Sequence, residues 1–125
     1  MLLLVSFRQL SLAQTARIDS LRALLVNAKD DTTKVINLNA LAWEFNNINP
    51  DTAYLINMQA LQLAEKLPCY EAGSGTGWLM GMARNYNGLC VIQRLKGNYD
   101  KSIEHGMKGI ACWDKIISLE KTPST

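Results

Sequence analysis

The sequence is poor in residues that ligate metals, cross-link a fold or interrupt a helix. Its 125 residues include three cysteines, one histidine and three prolines. Cys69, Cys90 and Cys112 are widely separated and odd in number, so they form neither a C-x-x-C pair nor a disulfide framework. A zinc site needs about four nitrogen or sulfur ligands, usually in close pairs, and His105 is the lone imidazole. No metal or other cofactor is expected, and the cysteines read as small packing residues or free thiols. So few prolines leave room for long helices. Charge is scarce as well. Thirteen Lys and Arg against eleven Asp and Glu give a net charge of +2 and a charged share of 19%. That excess is too small for a nucleic-acid or polybasic membrane footprint. Asn and Gln, fifteen together, stand where many charges would. No apolar run reaches the ~18 residues of a membrane span. Apolar residues are plentiful at 48%, which excludes a disordered tail. The length fits one compact domain or a piece of a larger one.

The first residues, MLLLVSFRQLSLAQ, are short and apolar. Ser11 and Ala13 match the small-x-small cleavage pattern of a secretory signal, so residues 1–13 are a candidate signal peptide. No basic residue precedes Leu2, and Arg8 interrupts the apolar run. The other reading is a frayed first helix. Cleavage would place the remainder in a periplasm or outside the cell; without it the chain is cytoplasmic.

Beyond that start, helical periodicity dominates over 15–119. Ile18, Leu21, Leu25 and Ala28 recur at steps of 3, 4 and 3, predicting a leading helix over 15–29. Val35, Leu38, Leu41, Ala42 and Phe45 give a second stripe, with Asp31 or Thr32 as its cap. Asn49-Pro50-Asp51 starts a third helix: a capping amide, a proline suited to the first position and an acid facing the dipole. Its stripe is Ala53, Ile56, Ala60, Leu63 and Leu67, and Pro68 ends it. These two helices form a first hairpin over 33–67. A glycine-rich stretch from Gly73 to Gly77 reads as a loop. A second hairpin over 78–119 follows, with Leu79, Met82, Tyr86 and Leu89 inward on its first helix. Gly81 and Gly88 share one face of that helix, and close helix contact would offset their poor propensity. Gly97 and Asn98 form the turn. The last helix carries Ile103, Ile110 and Ile117 on one line and Ser102, Gly106 and Gly109 on another. Residues 120–125 form a polar tail. No strand-like alternation appears, so the expected fold is all-α with about five helices.

The two hairpins overlay. Leu38-x-x-Leu41-Ala42-x-x-Phe45 with Asp51-Thr52-Ala53 and Ala60 parallels Tyr86-x-x-Leu89-Cys90-x-x-Gln93 with Asp100-Lys101-Ser102 and Gly109. This pattern resembles the tetratricopeptide repeat, and Gly97-Asn98-Tyr99-Asp100-Lys101-Ser102 looks like its most typical part. Asn57 and Gly106 stand where the repeat usually has a large residue. Leu41 and Leu89 are 48 apart, against the usual ~34. The signal-like start and the L-A-W-E-F and N-P-D-T-A segments are similar to N-terminal repeat regions of bacterial signalling proteins, which often precede a kinase, cyclase or DNA-binding output.

The resemblance implies an α-α superhelix of antiparallel hairpins and a non-catalytic scaffold that docks a protein or peptide. The alternative is the sensory input region of such a signalling protein. In that family the first helix of each pair lines the groove. By register, Asn39, Trp43 and Asn46 would face it from one pair, and Arg84, Asn87, Val91 and Arg94 from the other. Amides suit a peptide backbone, and guanidinium groups suit its acids or C-terminus. Trp43 is the tryptophan with a possible surface role; Trp78 and Trp113 read as packing residues.

Little else suggests chemistry. The loop spacing G-x-G-x-G has neither the following lysine nor the preceding strand of a phosphate loop. His105 has no nucleophile or second histidine in register, so an enzyme is not expected. Ile110, Trp113, Ile116 and Ile117 end the last helix with no polar helix behind them, which predicts a longer array or self-association through that helix.

Overall fold

The structure is a computed structural model. It describes the backbone of residues 2–68 and 77–121, and the side chains of 12–68 and 77–120. Cys69, most of the glycine-rich loop and the last four tail residues lie outside the described residues. The described residues form five α-helices: α1 (Leu2–Val26), α2 (Thr32–Phe45), α3 (Pro50–Lys66), α4 (Leu79–Leu95) and α5 (Tyr99–Lys121). No strand occurs among them. The expected all-helical architecture is present, and its elements pair as hairpins.

Local chemistry sets the boundaries. Asp31 caps α2, its carboxylate accepting from the Lys34 backbone N–H at 3.0 Å. Asn49 caps α3 by accepting from the Thr52 N–H at 3.2 Å, and Pro50 opens the helix. Gly97 lies at φ +80°, the left-handed region that a side chain disfavours, and this lets the chain reverse between α4 and α5. Asn98 departs from a simple cap. Its carbonyl accepts the first α5 bond, from Ser102 N–H, but its side-chain amide donates to Gln93 Oε1 at 2.9 Å. The first helix also differs from the sequence pattern: it begins at Leu2 and ends at Val26 rather than running over 15–29. The last helix continues to Lys121, two residues into the expected tail.

Packing follows chain order. Each helix lies against the next, and α2 also touches α4. The α4–α5 contact is the most extensive. Val35 and Leu38 of α2, Ala60 and Ala64 of α3, Leu67 and Trp78 form the main core, with Leu25, Ile56, Leu63, Met80 and Met82 against it. Ile18, Leu21 and Leu25 turn α1 toward α2, as their spacing predicts. A polar seam adds to that contact: Gln14 Nε2 donates to the Glu44 carbonyl at 3.0 Å, Arg17 pairs with Glu44 at 3.5 Å, and Arg22 lies 5.5 Å from the centre of the Phe45 ring.

Both α4 glycines sit where a methyl group would collide. A Cβ on Gly88 would fall 2.6 Å from Asn57 Nδ2, so α4 approaches α3 closely there. A Cβ on Gly81 would fall 2.3 Å from Trp78 of its own first turn. Only Gly88 therefore serves the helix–helix approach that the shared face suggests. On α5, Ser102, Gly109, Cys112 and Ile116 are buried, so the small-residue line faces α4 and the Ile103, Ile110, Ile117 line faces outward.

Candidate functional site

Two hollows flank α4. The first lies between the C-terminal ends of α2 and α4. It encloses about 210 Å³ and is lined by Trp43, Asn46, Asn47, Val91, Arg94 and Leu95. Helix geometry explains the gathering. Trp43 and Asn46 are one turn apart at the end of α2, as are Val91 and Arg94 at the end of α4, and the α2–α4 contact brings the two edges together.

Each wall has its own chemistry. Trp43 is 59% exposed, a large apolar ring left in water. Arg94 is exposed and forms no ion pair with a described residue. Asn46 is buried, and its Oδ1 has no hydrogen-bond partner among the described residues. Its backbone N–H is used by the helix end, donating to the Trp43 carbonyl at 3.2 Å. Buried polar atoms are normally paired, and an orphaned one costs about 1–3 kcal/mol. The hollow thus combines an exposed aromatic, an unpaired cation and an unsatisfied amide carbonyl.

The second hollow lies between α4 and α5 and encloses about 190 Å³. Arg84 and Asn87 line it from α4; Gly106, Gly109, Ile110 and Trp113 line it from α5. The seven residues expected in one groove are therefore distributed. Trp43, Asn46, Val91 and Arg94 meet in the first hollow, and Arg84 and Asn87 line the second. Asn39 lines neither, and its half-buried amide leaves Nδ2 without a partner among the described residues. Register alone did not pick out Asn47 and Leu95 in the first hollow, or the α5 wall of the second. Those depend on how the hairpins cross.

Other groups have structural settings. Asp30 binds Lys34 Nζ at 2.7 Å, and that ammonium holds its carboxyl below the usual range. Asp51 ties α3 to the end of α4 through Lys96 Nζ at 2.6 Å, and the same ammonium lies 5.9 Å from the Tyr54 ring centre. His105 stacks on Tyr86, the ring centres 6.4 Å apart, and burial pushes its pKa down. Burial pushes the Cys112 thiol up. Cys90 Sγ lies 3.3 Å from Ser102 Oγ, whose hydroxyl donates to the Cys90 carbonyl at 2.8 Å. No cluster of three or more His, Cys, Asp or Glu side chains suited to a metal ion occurs among the described residues. No described helix is long and apolar enough to cross a membrane.

No protein-family model matches the chain, and neither a curated protein nor a solved structure does. The functional reading therefore rests on the two hollows and the residues around them.

Proposed function

We propose that the chain is a non-catalytic binding module, and that the hollow between α2 and α4 takes an extended segment of a partner protein. The observation that carries this reading is the meeting of Trp43, Asn46 and Arg94 around one open space. A tryptophan face packs against an aliphatic or proline side chain. An unpaired guanidinium accepts a carboxylate in a bidentate pair, either from an Asp or Glu or from a chain terminus. The Asn46 amide, turned about its last bond, offers a carbonyl to a peptide N–H. Together these select an extended peptide with an acidic group next to an apolar residue. The sequence resemblance to the tetratricopeptide repeat points the same way, since it implies that a groove lined by the first helix of each pair is the binding surface.

The test is a random peptide library displayed against the 125-residue chain, with affinities then measured by calorimetry. Selected peptides should carry an acid beside an apolar or proline residue. Arg94→Ala and Trp43→Ala should each weaken binding by about tenfold or more, equivalent to about 1.4 kcal/mol. Arg84→Ala, in the other hollow, should change it less than about threefold. Equal binding by wild type and the Trp43→Ala/Arg94→Ala double variant would overturn the assignment.

A further inference from the structure

Among the described residues, six of the exposed large apolar side chains share the outer face of α5. Tyr99, Ile103, Met107, Ile110, Trp113 and Ile117 recur at steps of 4, 4, 3, 3 and 4, and each is between 42% and 65% exposed. Single exposed apolar residues are ordinary, but a continuous stripe of this kind marks an interaction surface. The adjoining flank of the helix is already occupied, since Ser102, Gly109, Cys112 and Ile116 are buried.

The stripe does not stand alone. Ile110 and Trp113 also line the hollow between α4 and α5, so ridge and hollow sit at the same height on one face. That face has borders of opposite sign. On the α4 side, exposed Arg84 lines the hollow and makes no ion pair with a described residue. At 100° per residue, Gly106 and Trp113 fall on the α4 side of the Ile103–Ile110–Ile117 line, while exposed Asp100 and Asp114 fall on its far side. Arg84 shares the hollow with Trp113, which places it level with Asp114.

We infer that this face pairs with a second copy of the chain. The copies are related by a twofold axis along the helices, so that the α5 stripe of each lies over the α4/α5 hollow of the other. An isologous contact needs a surface complementary to itself, and this operation supplies one. It exchanges left and right but keeps height, so ridge meets hollow and Arg84 of each copy meets Asp114 of the other. A side-by-side arrangement of two α5 helices would instead set the acidic borders against each other. The size fits a weak, reversible pairing. The stripe covers nineteen residues, about 27 Å of helix, and the first half of α4 adds about 13 Å, each about 10 Å wide. That gives about 400 Å² per copy and about 800 Å² in all, the low end of the range for transient contacts. The proposal uses α5 and the first half of α4, so it stands apart from the α2/α4 hollow.

Sedimentation equilibrium of the 125-residue chain, from about 1 to about 300 μM, reads the pairing directly. A reversible monomer–dimer equilibrium is expected. Ile110→Asp and Met107→Asp, both at exposed positions, should each raise the dissociation constant at least about tenfold with an unchanged helical circular dichroism spectrum. Arg84→Glu and Asp114→Lys should each weaken the dimer, and the combined exchange should restore it to within about threefold of wild type. This exchange also decides the matter should either aspartate variant fail to fold. A monomer across the whole range, a dimer indifferent to the apolar variants, or a charge exchange that fails to restore pairing would each overturn the inference.

Discussion

The close approach of α4 to α3 at Gly88 can be tested by adding one methyl group. A Cβ built there lies 2.6 Å from Asn57 Nδ2, 2.9 Å from its Oδ1 and 3.0 Å from its Cγ. These are distances that carbon and its neighbours do not tolerate, so something must move. Asn57 is 3% exposed and enclosed between helices, so its amide has no open space to enter. Two effects then oppose each other in Gly88→Ala. Alanine gains about 1 kcal/mol over glycine in a helix interior. Overpacking in a filled interior costs about 1–3 kcal/mol. The collision should win, leaving the variant about 1 kcal/mol less stable than wild type.

The sign should reverse once Asn57 is shortened. Asn57 Oδ1 is buried without a partner among the described residues, so Asn57→Ala relieves a desolvation cost while losing packing contacts. The two roughly offset, and the single variant should fall within about 1 kcal/mol of wild type. In that background the Gly88 methyl group has room, and Gly88→Ala should add about 1 kcal/mol of stability. The coupling between the sites is then about 2 kcal/mol, well beyond the few tenths expected of independent positions. Urea unfolding followed by circular dichroism, with slopes compared across the four proteins, gives the cycle directly. Stabilisation by Gly88→Ala in both backgrounds would refute the close approach, and with it the packing of the two hairpins described above.

Three further outcomes follow from the same structure. Leu89 is fully buried on α4, and Leu89→Ala should cost about 3 kcal/mol in urea unfolding, whereas Leu55→Ala on the exposed face of α3 should cost under about 0.5 kcal/mol. Asp31→Ala removes the α2 cap to Lys34 N–H and should cost about 1 kcal/mol, with Asp31→Asn close to neutral. His105 has a folded pKa pushed below its ordinary 6.5 by burial, so the unfolded chain takes up its proton first. Its contribution is therefore complete above about pH 6.5 and is lost as pH falls from there toward the lower folded value. His105→Gln should flatten that slope in thermal melts, and an unchanged slope would refute the assignment.

The sequence revealed the helices because their caps and stripes are local. Asp31, Asn49-Pro50 and Gly97 each act within a few residues, and the helix boundaries near them fall within one or two positions of expectation. The start of α1 was less legible because an apolar segment with small residues reads equally as a signal or as a helix. Several buried polar groups stand at positions where the pattern expects burial, but their neighbours are not legible locally. Gln93 continues the Leu79, Met82, Tyr86, Leu89 spacing and Asn57 stands where the repeat usually has a large residue, yet the tertiary contacts around them, such as that of Asn57 against Gly88, are not in the local pattern. The candidate site was half legible for the same reason. Trp43 and Asn46 follow from α2 alone, as Val91 and Arg94 follow from α4, but the division into two hollows depends on tertiary crossing.

Helix α5 shows where periodicity reaches its limit. Ile103, Ile110 and Ile117 make the more apolar line, and a rule that buries the greasiest face would turn them inward. The structure buries Ser102, Gly109, Cys112 and Ile116 instead. Gly109 marks how near the helices lie: a Cβ there would meet Tyr86 Cβ at 3.4 Å and the Ala83 carbonyl at 3.6 Å, ordinary contact that leaves room for a small residue and none for a large one. Small residues bring the helices close, and Ser102 satisfies its hydroxyl against the Cys90 carbonyl. Helix α5 therefore has two packing faces, a tight one and a greasy one, and its neighbour within the described chain occupies only the first. The second face, with six large apolar side chains between 42% and 65% exposed, is the surface that the inferred pairing would cover. The pairing surface and the hairpin contact are thus two consequences of one helix, and replacing the outer line with polar residues should abolish the first while leaving the second intact.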